Sequence, residues 1–306
     1  MNTFKIPNSF EVGLKGVGID PAMVLRRSGL PLNLWSSGKG MATTEQFCGS
    51  ARMEKSLHGQ VTIVTGVSRS QGIGASISRK IASLGSHLFL TGWPEYDQNE
   101  HSDSELKRLL KELRMAGCEV EWMPLDLTLS DSAVTLFEAV SRRFGKAHVL
   151  INNACFWLGD SIDTLDAGSL DRHYAVNTRA PILLSVEFVR RFAQKGARRI
   201  ISMTSGQMLG PMAGSIAYAA SKGALDAFTI TLADEVGKYG ITVNAVDPGP
   251  TDTGWMTQEK RQELLPRYSL GRLGTPEDAA QLVAFLISSE ADWITGQTIR
   301  SRGGFY

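Results

Sequence analysis

The sequence predicts an α/β fold: a doubly wound parallel sheet with helices on both faces. Three observations point there. From about residue 60 onward, short β-branched runs alternate with longer amphipathic stretches. A glycine-rich turn follows the first of those runs directly. The composition, 42% hydrophobic and 21% charged over 306 residues, suits one large globular domain with an appendage.

The runs, in order, are VTIVT (61–65), HLFLT (87–91), EVEWMPL (119–125), HVLI (148–151), RIISMT (199–204), ITVNAV (241–246) and QTIRS (297–301), which predicts seven strands. Between them ASISRKIASL, SELKRLLKELRMAG and SAVTLFEAVSRRFG carry apolar residues at helical spacing, the rhythm of a parallel sheet with helical crossovers. Thr275-Pro276-Glu277 reads as an N-cap followed by proline at the first helical position. The polar stretch WPEYDQNEHSDSE (93–105) is longer than the usual strand-to-helix connection and predicts an exposed loop. In a sheet of this kind, ligands bind beyond the C-terminal strand ends.

Charge and cysteine content exclude several classes. The 32 basic and 31 acidic residues leave a formal charge of +1, so no global field draws the chain to nucleic acid or to an anionic membrane surface. Cys48, Cys118 and Cys155 are an odd, scattered set that supports neither a disulfide framework nor a CxxC-type site, and the five histidines lack metal spacing. No metal is expected, and a reducing cytoplasm fits. No apolar run approaches the roughly eighteen residues of a spanning helix. Glu11, Lys15 and Asp20 interrupt any apolar signal-peptide core.

Chemistry first shows in TGVSRSQGIG (65–74), where Gly66, Gly72 and Gly74 lead from the first strand into a helix. Glycine there lets the backbone turn tightly and approach a pyrophosphate at the helix start, although glycine-rich turns also serve plain packing. A second strand ending Leu90-Thr91-Gly92-Trp93 offers no carboxylate for a ribose 2′-hydroxyl. Arg69 lies inside the glycine loop, either as a solvated residue or as partner to a 2′-phosphate. The two features together favour NADP(H) over NAD(H). In YAASK, Tyr218 and Lys222 share one helix face with only small residues between them. That spacing suits an acid–base pair, and equally a half-buried aromatic beside a snorkelling lysine.

The ordered set TGVSRSQGIG, Asp126-Leu127, NNAC (152–155), VNTRAP (176–181), MTSG (203–206), YAASK and DPGPTDTG (247–254) decides between them. Residues 53–306 resemble the short-chain dehydrogenase/reductases, in particular the 3-oxoacyl-acyl-carrier-protein-reductase-like branch. Two departures stand out: five residues separate Gly66 from Gly72 where three are usual, and Cys155 replaces the glycine of NNAG.

The resemblance implies a single Rossmann-type domain and a catalytic set of Asn177, Ser205, Tyr218 and Lys222. Tyr218 would exchange a proton with the carbonyl oxygen. Lys222 would lower its pKa from the ordinary value near ~10 and bind the nicotinamide ribose. Ser205, thirteen residues before Tyr218, would hold the substrate oxygen, and Asn177 would perturb its helix and complete a proton relay. Gly66, Ser68, Arg69, Gly72, Ile73 and Gly74 would meet the phosphates, with Thr91, Asp126 and Leu127 on the adenosine side. Asn153 and Ala154 would line the ribose, and Pro248, Gly249 and Thr251 the carboxamide. The substrate would be a small carbonyl compound or alcohol. Phe156, Trp157, Met208, Met212, Trp255 and Met256 are candidates for an apolar pocket wall, or equally for core and subunit contacts. WMTQEKRQELL (255–265) resembles the family's mobile lid. A homotetramer or homodimer is implied, with the helices of Asn177 and Tyr218 at one interface.

Residues 1–52 stand apart. Residues 10–47 resemble the start of the sensing domain of AraC-type regulators, without a DNA-reading helix-turn-helix after them. A fusion relic of short helices is expected. The rival reading is a weakly catalytic, ligand-sensing regulator on a reductase scaffold.

Overall fold

A computed structural model describes residues 3–5, 20, 41–43, 57–97, 102–193 and 198–305. The chain divides into two units, Met1–Ser56 and Leu57–Tyr306. In the first, Thr3–Lys5 pairs antiparallel with Met41–Thr43, Phe4 opposite Ala42. The short helices expected there fall on residues outside the described ones.

The second unit runs β1 (Val61–Val64), α1 (Ile73–Ser83), β2 (His87–Gly92), α2 (Ser102–Met115), β3 (Val120–Pro124), α3 (Ser132–Phe144) and β4 (Val149–Asn152). It continues α4 (Ala167–Tyr174), α5 (Ala180–Phe192), β5 (Arg198–Met203), α6 (Ile216–Val236), β6 (Ile241–Asp247), α7 (Gln258–Leu264), α8 (Pro276–Leu286) and β7 (Thr298–Arg300). The seven strands are parallel in the order β3-β2-β1-β4-β5-β6-β7. Each lies within two residues of its expected run. The order reverses between β1 and β4, and the crevice above that reversal is where such a sheet binds its ligand.

Alternation along the strands builds two cores. Val64, Leu88, Leu90, Val149 and Ile151 face α1, α2 and α8 through Ile77, Ile81, Leu109 and Val283. Ile63, Phe89 and Leu150 face α3, α5 and α6 through Phe137, Phe188 and Leu232. With both faces covered, β1 is buried at every position, its one polar side chain, Thr62, hydrogen-bonded to Ser86 at 2.9 Å. The helix start at Thr275 is present and reinforced, because Asp278 accepts a hydrogen bond from the Thr275 amide at 2.8 Å.

The expected loop over 93–105 is corrected. Pro94–Asp97 forms a single helical turn and α2 already begins at Ser102. Proline and acidic residues both suit a first helical turn, and this local chemistry prevails over polarity.

Candidate active site

Glycine at two positions is dictated by contact. Gly66 has φ +74, and a Cβ there would lie 2.5 Å from the Ala154 Cα. A Cβ on Gly74 would lie 2.6 Å from the Asn153 Nδ2. The turn after β1 is thus pressed against the turn after β4. Thr65 and Asn153 fasten them: the Thr65 hydroxyl oxygen accepts from the amides of Asn153 and Ala154, both at 3.1 Å, and Asn153 Nδ2 donates to Thr65 O at 2.9 Å. Gly72 caps α1 in extended conformation with no side-chain hydrogen bond, so the first amides of α1 point toward the crevice without a capping side chain.

The two extra residues of the loop bulge toward α2. The amide and hydroxyl of Ser70 donate to the Glu105 carboxylate at 3.1 and 3.0 Å, and Arg79 donates to Ser70 O at 2.7 Å. Trp122 of β3 donates to Val67 O at 3.0 Å. The cleft so formed measures about 700 Å³ and includes Gly66, Ser68, Arg69, Gly72, Ile73 and Gly74 along one wall. Thr91, Asp126 and Leu127 also line it, as do Asn153, Ala154, Phe156 and Trp157. A glycine cradle, a helix start free of side-chain capping and a cleft of this size fit a dinucleotide.

Tyr218 lies in the first turn of α6. Ser205, in the loop after β5, and the Cys155 thiol lie beside its hydroxyl. Burial, with the Cys155 contact second, pushes the phenol well above its ordinary value; Ser205 acts the other way. This corrects the downward shift expected from Lys222. Lys222 is 2% exposed, donates to Met203 O at 2.8 Å and sits 5.8 Å from the centre of the Tyr218 ring.

Asn177 sits in a π-helical turn, Ala175–Arg179, between α4 and α5. Fully buried, it accepts from Phe156 N and donates to Phe156 O, both at 2.8 Å, and donates to the Ser221 hydroxyl at 3.1 Å. The middle of YAASK therefore does more than leave room: Ser221 locks Asn177 to the helix of Tyr218 and Lys222.

Asp160 was not singled out in the sequence. Buried at the end of the loop after β4, it accepts from the amides of Ile216 and Ala217, which caps α6 in the same turn as Tyr218. The partner amides lie 56 and 57 residues away, so no local signal reveals it. Asp160→Ala is expected to cost about 1–2 kcal/mol of stability and to lower turnover, with nucleotide affinity retained. Thermal melts, NADPH oxidation and NADPH titration check this; equal losses of turnover and affinity would refute it. His173 is a second such residue. Its Nε2 accepts from Leu158 N at 3.2 Å and its ring packs edge-on against Phe156 at 4.8 Å, which holds the 156–158 wall.

The expected substrate residues divide. Trp157, Met208 and Trp255 are exposed, and Met212 is half-buried. Met256 is instead core, 5% exposed, packed with Leu264, Tyr268 and Phe305 beneath α7. The Thr251 hydroxyl turns back to Pro248 O and Gly249 O, while Thr253 lines the cleft. Glu95, a carboxylate three residues beyond β2, lines the cleft as well. Among the described residues no cluster of potential ligands suits a metal ion, and no helix is long and apolar enough to cross a membrane.

The family model described as enoyl-(acyl carrier protein) reductase matches residues 66–306. An uncharacterized oxidoreductase, YjdA, from Bacillus subtilis is 49% identical over 249 residues, 80% of this chain and 96% of the relative. The 3-oxoacyl-(acyl-carrier-protein) reductase FabG of Pseudomonas aeruginosa is 36% identical over 261 residues, covering 82% of this chain and 99% of its own. A short-chain dehydrogenase from Burkholderia cenocepacia, solved in complex with NADP, superposes with TM-score 0.73 at 31% identity, over 81% of this chain and 98% of that one. The family match begins at residue 66, so the AraC-type resemblance of residues 10–47 gains no support from it.

Proposed function

Because the chain belongs to the short-chain dehydrogenase/reductase family of oxidoreductases, we propose that it uses NADPH to reduce the carbonyl of a substrate with an apolar portion. 3-Oxoacyl thioesters are the first class to test. The observation that supports this reading is Tyr218 with Ser205 beside its hydroxyl and buried Lys222 one helical turn on, 5.8 Å from the ring centre, next to a glycine-cradled cleft that Cys155 lines. The nicotinamide supplies hydride when bound. Ser205 orients the carbonyl oxygen, and Tyr218, held protonated by burial, donates the proton to it. Lys222 offers a cation behind the phenol, and Asn177 keeps the Phe156 wall and α6 in register. Trp157, Met208 and Trp255 supply an apolar rim at the substrate end.

Arg69 and Glu95 compete at the adenosine end of the cleft. Arg69 supports a 2′-phosphate, as does the NADP in the Burkholderia relative; Glu95 is the group that would favour NADH. We assign the preference to Arg69, because charge-assisted bonds to a phosphate outweigh a hydroxyl contact. Exposed Leu183 on α5 and Ile230 on α6 support a homodimer or homotetramer assembled through those helices. Cytoplasmic localisation and a relic role for residues 1–52 complete the reading.

The test is titration with NADPH and NADH, then NADPH oxidation against 3-oxoacyl thioesters, diketones and aromatic ketones. Tighter NADPH binding is expected, with Arg69→Ala weakening it about ten- to a hundredfold and leaving NADH nearly unchanged. Failure to bind either nucleotide would overturn the reading.

A further inference from the structure

The C-terminal segment after β7 enters the machinery by a route the reaction chemistry does not require. Arg302 Nη1 donates to Asp247 Oδ2 at 2.8 Å, and Asp247, 1% exposed, also accepts from the Gly249 amide at 2.9 Å through Oδ1. Ser301 N donates to Asp247 O at 2.8 Å. Arg302 Nε donates to Phe305 O at 3.1 Å, and the Phe305 ring packs 4.9 Å from that of Tyr268 in the apolar cluster under α7. Tyr268 in turn donates to Pro250 O. The guanidinium occupies the space a Cβ on Gly206 would need, and its stem lies 3.0 Å from where a Cβ on Gly249 would stand.

Three segments therefore meet on one side chain: the turn after Ser205, the Pro248–Gly249 turn and the cluster under the lid. We propose that Arg302 is a positioning residue that locks these three segments in one arrangement, so that the lid and the substrate-oxygen serine are set together. A lysine would keep the charge but lacks the fork that reaches two acceptors in different directions. The pair also bears on the acid. The groups acting on the Tyr218 hydroxyl are Cys155 from the loop after β4, Ser205 after β5 and the Asp247 carboxylate at the end of β6, with Lys222 of its own helix 5.8 Å from the ring centre. Burial is the main cause of the raised Tyr218 pKa; the Asp247 carboxylate adds to it in the same direction, and Arg302 is the cation paired with that carboxylate. As far as turnover is concerned, this inference rests on the reductase reading.

The experiment compares full-length wild type with Arg302→Met, Arg302→Lys, Asp247→Asn and the double variant Asp247→Asn/Arg302→Met by hydrogen exchange, and by the pH profile of NADP-dependent alcohol oxidation. Arg302→Met is expected to lose amide protection in 203–210, 247–256 and 264–270 together, while β1–β3 keep theirs, and to lose turnover about tenfold. Arg302→Lys, which keeps the ion pair and so guards against failure to fold, loses protection at 264–270 and 303–305 alone. Asp247→Asn shifts the alkaline limb to lower pH, because the phenolate no longer faces that carboxylate. The double variant is more stable than Arg302→Met, since no buried carboxylate is left unpaired. Protection lost only at the C-terminus, protection lost evenly across the sheet, or a pH limb unmoved in Asp247→Asn would each overturn the proposal. Hydrogen exchange needs no turnover, so absence of activity in wild type would sink the reductase reading while leaving this inference to be decided by exchange.

Discussion

Replacing Tyr218 by phenylalanine is expected to lower NADPH-dependent turnover roughly a thousandfold while the NADPH dissociation constant stays within a small factor. The substitution removes one oxygen and keeps the ring, so its contact with Lys222 is preserved. Ser205 remains to orient a carbonyl but has no acid beside it. Because burial holds the phenol protonated well above neutrality, the reduction direction has its acid in the working form across the neutral range. The reverse reaction needs the phenolate, so its rate rises with pH through the alkaline range. Steady-state NADPH oxidation and fluorescence titration on the same preparation separate the two parameters. Full turnover in Tyr218→Phe would remove Tyr218 from its role.

The second large effect sets Gly66→Ala against Gly59→Ala. The two glycines have nearly the same backbone, φ +74 and φ +72, and nothing lies within 4 Å of a Cβ added at Gly59. Gly59→Ala is therefore expected to cost only left-handed strain, about 1–2 kcal/mol, with nucleotide binding intact. At Gly66 the same methyl meets the Ala154 Cα at 2.5 Å, backbone that the Thr65 hydroxyl already holds. One of the two turns must give way. Loss of NADPH affinity of about a hundredfold or more is expected, together with a larger fall in melting temperature than in Gly59→Ala. Equal behaviour of the two variants would show that the contact between the turns is of no consequence.

The parallel sheet was legible because strands covered on both faces are mostly apolar and β-branched, and β1, β4 and β6 are buried at every position. The glycine loop was legible for a related reason: only glycine tolerates a positive φ pressed against another backbone, as at Gly66. What escaped depends on distant segments meeting. Asp160 caps a helix that begins 56 residues later, and Arg302 pairs with Asp247 across 55. Burial set the direction of the Tyr218 shift, and spacing along one helix says nothing of burial. No sequence signal marks Glu95, because the expected carboxylate position closes with β2, whereas the helical turn at Pro94–Asp97 brings a later residue back to the cleft. Met256 reads as pocket wall or as core equally well from its sequence, and only the packing of Phe305 against Tyr268 decides it.

Two added residues in a phosphate-binding loop would ordinarily increase the number of shapes the free loop explores. Here Ser70, bound by Glu105 and Arg79, removes most of that freedom when the chain folds. The amides at the start of α1 then face the crevice before any nucleotide arrives, and association need not freeze the loop. The insertion thus makes the site preorganised, which favours affinity by lowering the entropy lost on binding.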